Sequence, residues 1–560
     1  MVRRILGSLV IAGALLCAPA AAFADISSVN VTVTPSTKAA GAHPDVTVDE
    51  AFTYSDSTDS AKTTTLHFPP GLIGNPLATP LCTPAQFQAD TCPANTQVGT
   101  TTVTATVLGL TQTPADGSIY NLVPSGSAPA MLGIVVRPLG GLLGKTFLTS
   151  VISLRTATDF GIDSVVDNMP NSTSGLPTVI NSVSLTLKGL VAGKPFMTNP
   201  TSCKVATTTF DIVTHEGGHG SASNSFTPTD CDKLAFKPQV SAAMGGPGGT
   251  GVTQRVPFTA TISQAAGESA QSSAAVTLPV GVGLSTSGAT ALCSAAQLAA
   301  DQCPAGSRVG TGTISTPLLA DAVTGPVYEI AGGNGLPGVA VKFAGKLPFT
   351  LVGKAAIVGG RVQNVFNGLP DVPLSTFTLV IDGGPHGILT ASQNLCTGAQ
   401  RTVTGTFGAQ SGTSATVTAP VRVVGCPPSA SASGRGFRGK RPRLSVVVFK
   451  APGGAALRSV SIKLPKSVKV VRSRGVSVRS AAALPKSNWR LVRSGTLSMT
   501  LPGSGASRAA VRLSAGSIRA SSKLLRTLKR HRSAAMDLTV TVVDASGRTT
   551  SIPLDFDVKR

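Results

Sequence analysis

Apolar and polar residues alternate with period two along most of this chain. The runs at 31–33, 46–53, 63–68, 101–107, 182–187, 256–262, 375–381 and 402–417 set Val, Ile, Leu or Phe on one parity against Thr, Ser and charged residues on the other. Successive side chains of an extended strand point to opposite faces, so this pattern predicts half-buried antiparallel strands. Gly, Pro, Asn and Asp punctuate the runs, as turns between strands require. Up to residue 428 no 12-residue window carries a helical stripe. The predicted fold is all-β: two sandwich-like modules at 25–238 and 239–428, then a C-terminal β-sandwich domain. Within each module two sheet units separated by a short helix are expected.

The last domain carries two further signals. Leu538, Val540 and Val542 alternate, Ala545, Ser546 and Gly547 turn the chain, and Ile552, Leu554, Phe556 and Val558 alternate back. Before this hairpin, 521–532 is the best helix of the mature chain: Leu524, Leu525 and Leu528 share a face and Ser521 caps it. Residues 429–443 are rich in Pro, Ser, Gly and Arg and read as a linker into the domain at 444–560.

The length of 560 residues suits roughly three or four domains. With 61 Gly, 39 Pro and 42% hydrophobic residues the chain is neither a helical bundle nor wholly disordered.

At the start, Arg3 and Arg4 precede an apolar run at 5–16 and an Ala22-Phe23-Ala24 cleavage site. This is the order of a secretory signal peptide over 1–24. The apolar run falls short of the ~18–20 residues that span a bilayer, and Leu16 before Cys17 is too large for a lipidation signal. The expected location is extracytoplasmic, secreted or associated with the cell envelope, with no transmembrane segment after cleavage.

Eight cysteines remain beyond Cys17, and their setting exposes a duplication. Residues 78–102 align without gaps to 289–313, with 15 of 25 positions identical. Phe68-Pro69-Pro70-Gly71 matches Leu278-Pro279-Val280-Gly281, Tyr120 matches Tyr328, and Pro129 matches Pro337. Each copy holds four cysteines, which allow three pairings. Neighbour pairing is expected: Cys82–Cys92, Cys203–Cys231, Cys293–Cys303 and Cys396–Cys426. Thr83 and Pro84 would cap a helix over 85–89 that brings the first loop's ends together. Closing such a loop is worth roughly 3 kcal/mol, and the bonds persist in an oxidising compartment. The C-x9-C spacing does not suit zinc.

The excess of positive charge is confined to the C-terminal end. From Ser433 onward there are 27 Lys and Arg against four Asp and no Glu, whereas the whole chain is +22. Such a surface either solubilises the domain or holds the protein on an anionic polymer or lipid surface of the envelope. The residues expected to do so are Arg435, Arg438, Lys440, Arg441 and Arg443 with Lys523, Arg526, Lys529, Arg530 and Arg532. Nucleic acid is not expected, since Trp489 is the sole Trp and no aromatics interleave the charges.

His215-Glu216-Gly217-Gly218-His219 matches H-E-x-x-H, the zincin pattern in which two His one helical turn apart bind zinc and Glu activates water. Paired glycines cost ~1 kcal/mol each in a helix, and the flanks read as strand and loop. A zinc hydrolase on His215, Glu216 and His219 is therefore the alternative, and a glycine-rich disulfide loop the main reading. Gly333-Asn334-Gly335-Leu336-Pro337-Gly338 matches G-x-G-x-x-G, but Pro337 interrupts it and a strand pattern follows, which predicts a hairpin loop. His43, His67, His386 and His531 are isolated in sequence, and no nucleophile elbow accompanies them.

The duplicated pattern, L/F-P-x-G then C-x9-C-P-A-x-x-x-V-G then Tyr and Pro, resembles repeats of large, uncharacterised proteins exported by high-GC soil actinobacteria. The resemblance covers about 60–130 and 270–340, and Asn199-Pro200-Thr201-Ser202-Cys203 fits it as well. It implies location and repeat architecture, and no activity. The reading that results is a non-catalytic, exported, envelope-associated structural or interaction protein without a cofactor. An extracellular polymer-binding module is a further alternative.

Overall fold

The computed structural model describes residues 26–111, 114–142, 144–246, 249–285, 291–332, 335–345, 348–397, 399–439, 441–451 and 454–559. The expected signal peptide lies outside these residues, as do Lys440, Gly333 and Asn334. The chain forms two compact units. One runs to Leu234 and includes Leu318–Ala320 and Pro370–Val372; the other takes Ala235–Pro317, Asp321–Leu369 and the chain from Pro373 on.

Eleven main strands build the first unit. They are β1 (Ile26–Pro35), β2 (Val46–Tyr54), β3 (Ala61–His67), β4 (Gln97–Val107), β5 (Ala115–Leu122), β6 (Ala130–Arg137), β7 (Thr146–Leu154), β8 (Ile162–Val166), β9 (Leu176–Leu187), β10 (Ala206–Thr214) and β11 (His219–Phe226). Their order is β1-β2-β9-β4-β5-β6-β7-β8-β3-β10-β11. The sheet curls until its edges meet: the Val33 N–H of β1 donates to Asn224 Oδ1 of β11 at 3.0 Å. Val31, Val46, Val48, Leu66, Ile119, Leu187 and Phe210 belong to its buried apolar cluster, and Phe52 stacks on Phe210 with centroids 5.7 Å apart.

The second module repeats this plan. Its strands are β12 (Gln239–Met244), β13 (Phe258–Ser263), β14 (Gln271–Thr277), β15 (Arg308–Ser315), β16 (Val323–Ile330), β17 (Gly338–Phe343), β18 (Phe349–Val358), β19 (Arg361–Asn367), β20 (Thr376–Ile381), β21 (Thr402–Ala409) and β22 (Ser414–Val423). The order β12-β13-β20-β15-β16-β17-β18-β19-β14-β21-β22 is the first module's order strand for strand, and the barrel closes through parallel pairing of β12 with β22. Even a register shift is copied: it falls at Gln97/Gly99 in β4 and at Arg308/Gly310 in β15. Closure pairs the edges that an open sheet leaves free to associate.

The expectation of two sheet units per module is corrected. Each module is one continuous sheet rolled on itself, and the disulfide loop decorates it instead of dividing it. Period-two alternation marks a sheet with one buried face and is the same for a sandwich and a barrel. The run at 402–417 is also two strands, β21 and β22, with a turn between.

Helices in the modules are short. Helix α1 (Pro84–Gln88) starts at Thr83 and helix α2 (Ala295–Ala299) at Ser294; both have a complete capping box closed by Gln86 and Gln297 respectively. Phe87 of α1 is buried over Gly133 of β6, where an added Cβ would lie 2.5 Å from the Phe87 ring. The sheet thus leaves a bare backbone position under the helix.

The C-terminal sheet contains β23 (Ser429–Arg435), β24 (Arg443–Phe449), β25 (Leu457–Lys463), β26 (Val476–Arg479), β27 (Trp489–Leu491), β28 (Thr496–Thr500), β29 (Arg508–Leu513), β30 (Ser533–Asp544) and β31 (Thr549–Lys559), in the order β26-β29-β24-β23-β31-β30-β25-β28-β27. The linker expected at 429–443 is corrected here. Residues 429–435 are a central strand, paired with β24 and β31. Their Ser-Ala alternation has too little apolar bulk to be read as a strand, yet Ala430 and Ala432 pack on the core. Helix α3 (Ser522–Arg530) is capped by Ser521 and buries Leu524 and Leu528.

Candidate functional site

The first barrel is not filled. A cavity of about 200 Å³ runs inside it, lined by inward positions of β2 to β9. Val103, Ala105 and Val107 of β4, Leu132, Ile134 and Val136 of β6, and Val183 and Leu185 of β9 form much of its wall. Glu50 is the one ionisable side chain among the described residues of that wall.

Glu50 is 5% exposed, and among the described residues its carboxyl has no hydrogen-bond partner. Burial, reinforced by the neighbouring Asp49 charge, pushes its pKa up to about 8. A carboxyl in this setting holds its proton at neutral pH. Asn121, also in the wall, donates from Nδ2 to Pro76 O at 2.8 Å and to Thr79 Oγ1 at 3.0 Å, whereas its buried Oδ1 lacks a partner among the described residues. Some polar groups of the wall bond to each other or to backbone: the Ser150 and Ser164 hydroxyls bond each other at 2.7 Å, Thr101 Oγ1 donates to Ser184 O at 3.0 Å, and Thr178 Oγ1 donates to Leu176 O at 3.0 Å.

Backbone and ring contacts hold the loops at one end. Tyr54 donates its hydroxyl to Ile180 O at 2.8 Å and accepts from Ala61 N at 3.2 Å. Met169 and Pro170 line the cavity, and the Met169 carbonyl accepts a hydrogen bond from His215 Nε2 at 2.9 Å. The turns at this end carry exposed Leu108, Leu110, Leu139 and Leu142.

The second barrel differs at matching positions. Val46 and Gly99 both pair with Leu187, as Phe258 and Gly310 both pair with Ile381. Four residues along, Glu50 corresponds to Ile262 and Val183 to Phe377. The same counting from Tyr120/Tyr328 and Phe68/Leu278 sets Val136, Thr146 and Val166 against Phe343, Phe349 and Phe366. All five of these first-barrel residues line the cavity. In the second barrel Phe343 and Phe349 stack at 4.8 Å and Phe366 meets Phe377 edge-on at 6.2 Å. Four rings occupy the positions where the first barrel has smaller side chains and a hole.

The cysteines join as Cys82–Cys92, Cys203–Cys231, Cys293–Cys303 and Cys396–Cys426, with Cα–Cα distances of 5.4, 6.0, 5.0 and 5.5 Å. The zincin alternative is corrected. His215, Glu216 and Gly217 form the turn between β10 and β11, with Thr214 N donating to Gly218 O at 2.9 Å and Val213 paired to His219. The two His are therefore not one helical turn apart, and His215 Nε2 is engaged with Met169. No three His, Cys, Asp or Glu among the described residues are placed to hold a metal ion. Gly333 and Asn334 of the G-x-G-x-x-G stretch lie outside the described residues, and its last glycine, Gly338, begins strand β17.

His67, isolated in sequence, lies between two carboxylates. Its Nδ1 is 2.7 Å from Asp163 and its Nε2 3.0 Å from Asp211, so both ring nitrogens are engaged by carboxylates. Arg155 joins Asp163 and Asp159 to the same network. Strands β3, β8 and β10 are far apart in sequence, so nothing in the local pattern announces it.

Of the cationic residues, Arg435 and Arg443 pair directly across β23 and β24. Gly434 pairs with Val558, and Val558 with Ala534, which puts Lys559 and Ser533 in the next row with Arg435. Arg532 precedes β30 at that end, and Lys523, Arg526, Lys529 and Arg530 are exposed on α3. Arg438 and Arg441 are exposed in the turn between Arg435 and Arg443; Lys440 lies outside the described residues. Arg435, Arg443, Lys559 and Arg532, distant in sequence, thus share one end of the sheet.

No protein-family model and no curated protein matches the chain. Solved structures give weak likenesses. The Enterococcus faecalis MSCRAMM ACE, which binds its ligands by the collagen hug, shares 9% identity over 58% of this chain and 95% of its own, with a TM-score of 0.19. The C-terminal domain of the Streptococcus agalactiae AgI/II polypeptide BspA shares 7% over 57% and 100%, with a TM-score of 0.25. A putative membrane-anchored protein of Corynebacterium diphtheriae shares 8% over 95% and 91%, with a TM-score of 0.17. Likenesses this weak define neither a common fold nor a common role. Among the described residues no helix is long and apolar enough to cross a membrane.

Proposed function

We propose that this chain is a non-catalytic, exported protein of the cell envelope, with two disulfide-stapled barrels and a cationic C-terminal domain that retains it on an anionic surface polymer. Export rests on the sequence at 1–24 and on four disulfides, which suit an oxidising compartment. The non-catalytic reading is supported by the H-E-x-x-H signal forming a hairpin turn and by the last glycine of the G-x-G-x-x-G signal beginning a strand.

The observation that carries retention is the charge distribution. From Ser433 to the end of the sequence, 27 cationic residues stand against four Asp, and the register brings Arg435, Arg443 and Lys559 into one row. A surface of one sign attracts a polyanion through its summed field, and the attraction weakens with salt. Fractionation of cells with a graded salt wash tests it. The wild type should leave the envelope fraction as salt rises, and a chain ending at 428 should not be retained at low salt. Equal retention of the truncated chain would remove the proposal.

A further inference from the structure

The two barrels share strand order, register and a bulge, yet one is plugged and the other hollow. A packing defect would be expected to be apolar and without system. Here four aromatic positions are reduced together, at Val136, Thr146, Val166 and Val183, and Ile262 of the plugged barrel has Glu50 as its counterpart in the hollow one. Glu50 is more than nine-tenths buried, faces the cavity and has no hydrogen-bond partner among the described residues. Leaving a buried polar group unsatisfied is costly, so its place in an apolar wall calls for a partner that arrives from outside.

The space is elongated. Through the register Glu50 is level with Val183, Val103 and Ala115. Asn121, with its own unsatisfied Oδ1, is six residues further along β5, about 20 Å at the rise of a strand. At about 200 Å³ the cavity exceeds the ~150 Å³ apolar cavity that admits benzene. Four exposed leucines stand on turns at the opposite end from Asn121.

We infer that the first barrel binds one single-chain amphiphile with an uncharged, oxygen-bearing head, its hydrocarbon along the apolar wall and its hydroxyl or ester oxygen hydrogen-bonded to Glu50. An uncharged head follows from the wall: it offers no cation to an anionic head, and an ammonium head would bring an unpaired charge into an apolar space whose one carboxyl is kept neutral. The proton that burial keeps on Glu50 makes its carboxyl a donor to such an oxygen.

The test uses the full chain and linear 1-alkanols of eight to fourteen carbons, titrated by calorimetry at pH 7. The expected result is one site per chain, with affinity rising up to about fourfold per methylene until the cavity is full. Equal-length alkanoates and alkyltrimethylammonium ions should bind at least tenfold more weakly. Val166→Phe with Val183→Phe, which restores two rings of the plugged barrel, should reduce affinity at least tenfold without lowering the melting temperature. Glu50→Ile should keep the dependence on chain length and weaken alkanol binding several-fold. No saturable binding, two sites per chain, tighter binding of a charged analogue, or unchanged affinity in the double Phe variant would overturn the inference. Should that variant fail to fold, unchanged affinity in Glu50→Ile decides against it in the same way.

Discussion

His215 donates its Nε2 hydrogen to the Met169 carbonyl, 2.9 Å away, and Met169 is part of the cavity wall. A pattern that reads as a zinc ligand set is thereby a hairpin turn stitched to the rim of a barrel. His215→Ala should cost about 1 kcal/mol, the net worth of one hydrogen bond, seen as a lower melting temperature of the first unit. Zinc should neither bind stoichiometrically nor raise the melting temperature of the wild type, and metal analysis with a thermal-shift titration checks both.

Glu50 should make the first unit's stability fall with pH. Its folded pKa of about 8 stands above the ordinary 4.5, so between those values the folded state holds a proton that the unfolded chain has released. The stabilisation is full below the unfolded value and is lost as pH rises through the folded one. At about 1.4 kcal/mol per pKa unit the loss reaches several kcal/mol. Denaturant unfolding at pH 5 and pH 8.5 should show it in the wild type. Glu50→Gln should flatten the difference, and Glu50→Ile should also be the more stable protein at the higher pH. An equal pH dependence in all three would contradict the assignment.

The α1 loop depends on a missing side chain. Gly133→Ala puts a Cβ within 2.5 Å of the Phe87 ring, and Phe87 also meets Phe147 edge-on at 5.5 Å. Overpacking of this kind costs roughly 1–3 kcal/mol. Replacing Cys82 and Cys92 by Ala should cost about 3 kcal/mol on the loop-entropy account. The two losses should be less than additive in a combined variant, because both act on the same loop. Chemical unfolding of the single and combined variants measures the coupling.

Strands were legible because alternation is local, and the duplication because 78–102 and 289–313 keep their cysteines and caps. Thr83 and Ser294 cap their helices through their own next turn, which is also local information. Barrel closure was not legible, since it depends on β1 meeting β11 and β12 meeting β22 across the length of each module. Nor was the cavity. Glu50 falls on the inward parity of β2, beside Val46, Val48 and Phe52, and that single break in an apolar parity was the available signal. Its contrast with Ile262 could be drawn only once the register fixed which residues correspond. The strand at 429–435 was hidden for a different reason: alternating Ser and Ala resembles a flexible tract until its pairing partners are known.

Retention through the cationic end is tested most directly by salt elution of the full chain from isolated cell envelopes, wild type against a variant with Gln at Lys523, Arg526, Lys529, Arg530 and Arg532. The Debye length falls from about 10 Å at 0.1 M to about 3 Å at 1 M. The wild type should therefore stay bound at the lower salt and elute by the higher, and the variant should elute earlier. A wild type that remains bound at about 1 M salt, or a variant with the same elution profile, would contradict the account.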